Sequence, residues 1–270
     1  MSFAIAGKTA IVTGAANGIG LAIARHFVTQ GANVMFVDMD EARLIEEAGE
    51  AAGQEESGVR IFVGDLRKKL TLANLLSATI DAFDRVDILV NASRQIATTD
   101  PLNHEDETLD AMLQQNLLTS YRLTQIIARK MIAQAAKEEE SDGQIGSIIN
   151  LSSIAAERTH PDLLAYSVST AALEQMTRSM ALALAPKRVR VNAISFGSVM
   201  SSSLQSSLRD DVDLRDKLIR HTPLGRIASA GELAETAQYL ASEASGFVTG
   251  QVLIVDGGRG LCDTVTAPSH

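Results

Sequence analysis

Seven short stretches rich in valine and isoleucine constrain this chain more than any other feature: TAIVTG (9–14), NVMFVD (33–38), RIFVGD (60–65), DILVNA (87–92), SIINLSS (147–153), VRVNAIS (189–195) and QVLIVDGG (251–258). They read as continuous apolar runs rather than as alternating ones, the pattern of strands covered on both faces in a parallel sheet. Parallel neighbours need a crossover of roughly a dozen residues or more. The intervening sequence supplies such crossovers. GIGLAIARHFVTQG spaces Ile19, Ile23 and Phe27 at helical intervals, and LTLANLLSATIDAF, NLLTSYRLTQIIARKMIAQ, AYSVSTAALEQMTRSMALALAP and AGELAETAQYLASE are each long enough for a helix. Gly31 and Pro186 fall where helices are expected to stop. The alternation predicts an α/β fold, a doubly wound parallel sheet of about seven strands with helices on both faces, the Rossmann arrangement.

At 270 residues the chain suits a single domain, expected to span 1–270. A net charge of −9 and a pI near 5.1 argue against nucleic acid or an anionic membrane as partner, and point to small molecules instead. Cys262 is the only cysteine, so no intramolecular disulfide can form. The start lacks a basic, then apolar, leader, and no apolar run reaches the roughly 18 residues of a membrane span, so a cytoplasmic setting is expected. His26, His104, His160, His221 and His270 show no paired ligand spacing, and no metal site is expected. Two segments break the rhythm. A charge run at 134–144 reads as a helix end and a charged surface loop. The long polar stretch 198–226 follows a strand end, where ligands bind in this architecture, and reads as a substrate lid.

TGAANGIG (13–20) joins the first run to the first helical segment and spaces its glycines as G-x-x-x-G-x-G at Gly14, Gly18 and Gly20. Glycine permits the tight turn and lets backbone N–H groups approach a pyrophosphate at the positive end of the following helix. With a strand before it, a helix after it and Asp38 closing the second run, the context is that of a dinucleotide site. A carboxylate at that place accepts hydrogen bonds from both adenosine ribose hydroxyls and repels a 2′-phosphate. Asn17 and Met39 bring no positive charge, so NAD(H) is preferred over NADP(H).

Further motifs follow in order: VGDL with Asp65 and Leu66, NA at Asn91 and Ala92, Asn116 in QQNLLTS, INLSS, Tyr166 in AYSVSTAAL, RVNAIS, and YLASEASGFVTGQVLIVDGG. Together they resemble the short-chain dehydrogenase/reductase family over roughly residues 5–260. The resemblance implies cofactor contacts from Gly14, Asn17, Gly18, Ile19, Gly20, Asp38, Asp65, Leu66, Asn91, Ala92, Tyr166, Thr170, Gly197, Val199 and Ser201. In the family a serine and a tyrosine bind the substrate oxygen, the tyrosine moves the proton, and a lysine four residues on lowers the phenol's pKa and holds the nicotinamide ribose. An asparagine supports that lysine through water. The family's serine lies 13 residues before its tyrosine, which selects Ser153 rather than Ser152. Ser153, Tyr166 and Asn116 are present, and Thr170 occupies the lysine position. Homodimers or homotetramers are a carried-over expectation.

The exchange matters because a free phenol titrates near pH 10 and a neighbouring ammonium is what makes the base form accessible. Thr170 can bond a ribose hydroxyl but brings no charge, so carbonyl reduction should survive its presence better than alcohol oxidation. Two other departures sit at the nicotinamide end: Ser93 at the glycine of NNAG, and Phe196 at the proline before Gly197. Phe196 reads either as a ring beside the nicotinamide or as packing under the loop. Arg94, Gln95, Glu157 and Arg158 fall on stretches that rim the pocket. Either arginine suits a substrate carboxylate or phosphate, or a solvated rim, while His160 reads as pocket lining or plain loop. Whether another cation, Arg94 for instance, enters the vacancy left by the lysine is a question for the structure. Two functions stay open: an NAD(H)-dependent oxidoreductase acting on a small carbonyl or alcohol, and a dinucleotide-binding homologue without turnover, serving as sensor, subunit or scaffold.

Overall fold

A computed structural model describes residues 2–54, 57–137, 143–211 and 213–262. Seven strands form one parallel sheet: β1 (Thr9–Thr13), β2 (Asn33–Asp38), β3 (Val59–Val63), β4 (Ile88–Asn91), β5 (Gly146–Ser153), β6 (Val189–Phe196) and β7 (Val252–Val255). Their order is β3-β2-β1-β4-β5-β6-β7. The chain therefore winds outward one way from β1, returns, and winds the other way from β4. Strands buried on both faces require continuous apolar sequence, and every residue of β1, β4, β5 and β6 is buried.

Side chains alternate across the sheet and feed two cores. Val12, Phe36 and Ile88 join Phe27 and Leu240 on the face covered by helices Gly18–Thr29 and Ala230–Ala241. Ile11, Met35 and Leu89 join Leu72, Leu123 and Met131 on the face covered by Lys69–Phe83 and Thr119–Ala135, beside the long helix Leu164–Leu184. A chain of amides ties the middle strands under the second face: Asn91 Nδ2 donates to Asn150 Oδ1 at 2.8 Å, and Asn150 Nδ2 donates to Thr177 Oγ1 at 2.9 Å.

The charge run at 134–144 lies in part on residues 138–142, outside the described residues; the helix before it ends at Ala135. The polar stretch 198–226 contains two short helices, Ser202–Asp210 and Leu214–Arg220. Among the described residues no helix is long and apolar enough to cross a membrane, and no group of histidine, cysteine and carboxylate residues is arranged to hold a metal ion.

Candidate active site

In an open α/β sheet ligands sit beyond the carboxyl ends of the strands where the winding reverses, here between β1 and β4. Thr13, at the end of β1, locks that point together. Its Oγ1 accepts from the amides of Ala92 and Ser93, each at 3.0 Å, and donates to the Val90 carbonyl at 3.3 Å. A groove of about 390 Å³ opens there, lined by the turn after β1, by Asp38, by Gly64–Arg67 and by the segment after β4.

The turn is too tight for side chains. A Cβ on Gly20 would stand 2.1 Å from the Gly14 carbonyl oxygen, and one on Gly14 would stand 2.9 Å from the Ala92 carbonyl oxygen, with φ of Gly14 at +68°. The helix it opens has no side-chain cap from Asn17 and no acid in its first turn, which leaves its N-terminal amides and positive dipole to the groove. Asp38 is oriented by backbone donors: Oδ2 accepts from the Ala16 amide at 3.2 Å, and Oδ1 from those of Met39 and Asp40 at 2.7 and 3.2 Å. Asp65 pairs with Arg67 at 2.8 Å, and that hydrogen-bonded guanidinium holds its carboxyl below the usual range. Gly14, Asn17, Gly18, Ile19, Gly20, Asp38, Asp65, Leu66, Ala92 and Ser201 all line the groove. A narrow backbone cradle at a helix start, with a preset carboxylate at its far end, suits a dinucleotide.

A second cavity of about 860 Å³ continues from the groove, and Arg94, Ile96 and Ser201 border both. Tyr166 and Ser153 line it together with Phe196, Gly197 and Val199, while Leu204, Leu218 and His221 of the 198–226 stretch close one side. The helix Leu164–Leu184 presents Tyr166, which is 2% exposed. Ser153 ends β5, where its Oγ accepts from the Ala155 amide at 3.2 Å.

The guanidinium of Arg94 donates a hydrogen bond to the Tyr166 phenol oxygen. It also stands 4.4 Å from the centre of the Phe196 ring, within cation–π range, so Phe196 forms the floor beneath this cation. Thr170 faces elsewhere. It is buried, borders neither cavity, and its Oγ1 is directed at the carbonyls of Tyr166 (2.9 Å) and Ser167 (3.0 Å) of its own helix. Asn91 is likewise under the sheet, among Asn150 and Thr124, and does not border the groove.

Asn116 sits in a π-helical turn, Leu113–Leu118, a distortion that often marks functional positions. Its Oδ1 accepts from the Gln95 amide at 2.8 Å, and its Nδ2 donates to the Gln95 carbonyl at 3.0 Å and to Ser169 Oγ at 3.1 Å. One side chain thus pins both backbone groups of the residue next to Arg94. His160 borders the second cavity, where its Nδ1 accepts from the Asp162 amide at 3.3 Å.

Glu174 is part of this neighbourhood and goes unread in the sequence. It is 4% exposed, its Oε1 accepts from Ser152 Oγ at 2.8 Å, and burial raises its carboxyl above the usual range against the opposing hydrogen bond from Ser152. The available signal is its spacing, two helical turns beyond Tyr166 on the same face. Arg67 and Arg259 also escape the sequence reading, since solvated arginines are common and nothing local distinguishes these two.

Comparison with known proteins agrees with this architecture. Residues 14–259 match the family model described as enoyl-(acyl carrier protein) reductase. The chain is 31% identical to 3-oxoacyl-(acyl-carrier-protein) reductase of Chlamydia trachomatis over 96% of its own length and 99% of the relative's. It is also 31% identical to 7alpha-hydroxysteroid dehydrogenase of Escherichia coli, over 93% and 94%. Among solved structures, gluconate 5-dehydrogenase of Burkholderia cenocepacia, in complex with NADP and tartrate, superposes with a TM-score of 0.84 at 30% identity, covering 97% of this chain and 98% of that one. A 7alpha-hydroxysteroid dehydrogenase complexed with NADH gives a TM-score of 0.84 at 29% identity, covering 95% of each chain. The chain belongs to the short-chain dehydrogenase/reductase family of oxidoreductases.

Proposed function

We propose that this chain is an NAD(H)-dependent oxidoreductase of a small carbonyl or alcohol in which Tyr166 moves the proton, Ser153 orients the oxygen and Arg94 supplies the positive charge that the family draws from its lysine. The observation that carries the reading is the Arg94 guanidinium bonded to the Tyr166 phenol oxygen. The hydride is what a bound nicotinamide supplies or accepts. Everything else falls to the chain's own residues.

In the reducing direction the phenol gives its proton to the substrate oxygen, and negative charge grows on the tyrosine oxygen as it does so. A guanidinium fixed at that oxygen opposes the charge without having to reorganise. In the oxidising direction the same phenol oxygen takes the proton, with the guanidinium donating a hydrogen bond to it. A threonine alone would leave reduction the easier course, and a cation at the phenol opens both. Ser153, whose lone pair is engaged by Ala155, directs its hydroxyl hydrogen at the substrate oxygen. Asn116 is a positioning residue: it fixes the backbone of Gln95 and thereby the neighbouring Arg94.

The NAD preference rests on Asp38, whose carboxylate is held at the groove by three backbone donors and would repel a 2′-phosphate. The competing reading, a dinucleotide binder without turnover, draws on Thr170, whose hydroxyl is spent inside its own helix. Titration calorimetry with NADH tests what the two readings share, and absence of binding contradicts both. A panel of ketones and aldehydes assayed with NADH separates them. Turnover by the wild type that is abolished in Tyr166→Phe supports the enzyme, whereas no turnover anywhere in the panel favours the binder.

A further inference from the structure

The second cavity has a charge character unlike that of the chain. Against a net charge of −9, its described lining includes Arg94, Arg158, Arg259, His160 and His221 and no aspartate or glutamate. Arg94 is accounted for by Tyr166. Arg158 and Arg259 are not.

Both are brought to one turn. The Nε of Arg158 donates to the Gly260 carbonyl at 2.9 Å, and a second donor of the same guanidinium reaches that oxygen too. Arg259, the adjacent residue, directs Nη1 to Ser198 Oγ at 3.3 Å. Arg158 is thus held at Gly260 and Arg259 at Ser198, two cations on the lining of one cavity, each with a neutral hydrogen-bond partner rather than an anion. The acids nearest in sequence do not serve. Asp256 is 7% exposed, and its carboxylate is taken up by the turn itself: Oδ1 accepts from the Gly258 amide at 2.9 Å and Oδ2 from the Gly260 amide at 2.5 Å. Glu157 and Asp256 open on an adjacent cavity that shares Arg158, and among the described residues neither Arg158 nor Arg259 is ion-paired with a carboxylate. One carboxylate is thus used to shape the turn that displays two cations. A guanidinium offers a planar fork of donors that matches carboxylate or phosphate oxygens, and most of these donors remain unspent here. The same cavity is lined by Tyr166 and by the apolar side chains of Ile154, Leu163, Leu204 and Leu218.

We infer that the substrate is a small organic anion whose carboxylate or phosphate is held by Arg158 and Arg259 while a short carbon stem places its carbonyl or alcohol carbon at Tyr166. The inference rests on the proposed function and deepens it by naming the class of substrate. It also accounts for an acidic protein keeping an acid-free pocket, where the surrounding potential would otherwise repel such a ligand.

The test uses matched pairs of probes assayed with NADH: linear oxo-acids from 2-oxobutanoate to 7-oxo-octanoate, each beside its methyl ester, and dihydroxyacetone phosphate beside dihydroxyacetone. Wild type is expected to prefer the anion of at least one pair by about tenfold or more in kcat/KM, mostly through KM, and that KM is expected to rise with salt while that of the uncharged partner does not. The pair that shows the preference identifies the group as carboxylate or phosphate. Arg158→Gln and Arg259→Gln are each expected to erase most of it, lowering kcat/KM for the anion several-fold more than for its uncharged partner. Equal rates for anion and neutral partner in every pair, or a preference untouched by both substitutions, overturn the inference. Calorimetry of the protein with NAD+ and the same probes, where no reduction can occur, reads the anion site even if no probe turns over. Anion binding lost in Arg158→Gln and Arg259→Gln sustains the site although the proposed activity has failed, and indifference to charge there refutes the site itself.

Discussion

The guanidinium of Arg94 is hydrogen-bonded to the phenol oxygen of Tyr166 and rests 4.4 Å from the centre of the Phe196 ring. One aromatic ring and one phenol thus hold a single cation between them, and the cation stands at the oxygen to which the proposed function gives the proton transfer.

Replacing that cation should act on the chemical step. Arg94→Gln is expected to lower kcat about 10²-fold with a smaller change in KM, within the range that positioned acid–base groups contribute, while Arg94→Lys retains part of the rate. Thr170→Lys in the wild type is expected to bring no gain, because a second cation would compete for the same oxygen. Steady-state rates with NADH and an active carbonyl from the panel check all three.

Asp38 should decide between the dinucleotides. The wild type is expected to bind NADH about tenfold or more tightly than NADPH by titration calorimetry, and Asp38→Ala to narrow or reverse that ratio by removing the charge that opposes a 2′-phosphate. A wild type that favours NADPH would refute the role given to this carboxylate.

Gly20 tests the cradle. The Cβ of Gly20→Ala would lie 2.1 Å from the Gly14 carbonyl oxygen, a backbone atom that cannot swing aside. Overpacking of this kind costs about 1–3 kcal/mol, so chemical denaturation should show a clear loss of stability and calorimetry a weakened NADH affinity.

Glu174 gives the stability a pH signature. Burial holds its folded carboxyl above the usual range, with Ser152 and Arg178 opposing, so the folded state binds a proton more readily than the unfolded chain does. Stability therefore falls as pH rises from the ordinary carboxylate value through the raised one. Glu174→Gln should raise Tm at pH 7, by roughly 2–4 °C for each kcal/mol recovered, and the difference should shrink as the pH is lowered below the carboxylate range. Thermal unfolding across pH 4 to 8 measures it. A variant equally destabilised at all pH values would mean that the carboxylate is needed for its hydrogen bonds rather than tolerated.

The sheet was legible because strands covered on both faces leave no freedom of composition, and all seven apolar runs form strands of one parallel sheet. The turn at Gly14, Gly18 and Gly20 was legible for a similar reason, since its backbone approach excludes any side chain. Short elements were harder to read. The helical turns between Glu41 and Ala52 are dominated by charged and small residues, and those at Ser202–Asp210 and Leu214–Arg220 carry too few apolar positions to show a helical period. In the site, sequence spacing indicates which residues share a helix face but not where a long side chain ends. Thr170 lies one helical turn beyond Tyr166 while its hydroxyl turns back into the helix, and Arg94 reaches Tyr166 from the segment after β4, a contact no local pattern records. The bond from Asn116 to Gln95 is of the same kind: the asparagine is recognisable, its partner is not.

Arg94 and Tyr166 act as one unit in the proposed reaction, and a double-mutant cycle on kcat/KM measures this with Arg94→Gln, Tyr166→Phe and the two combined. If the guanidinium works through the phenol oxygen, the double variant should be scarcely slower than Tyr166→Phe alone, because the cation has nothing left to stabilise. Losses that multiply, so that the double variant falls below Tyr166→Phe by the full factor of Arg94→Gln, would contradict it.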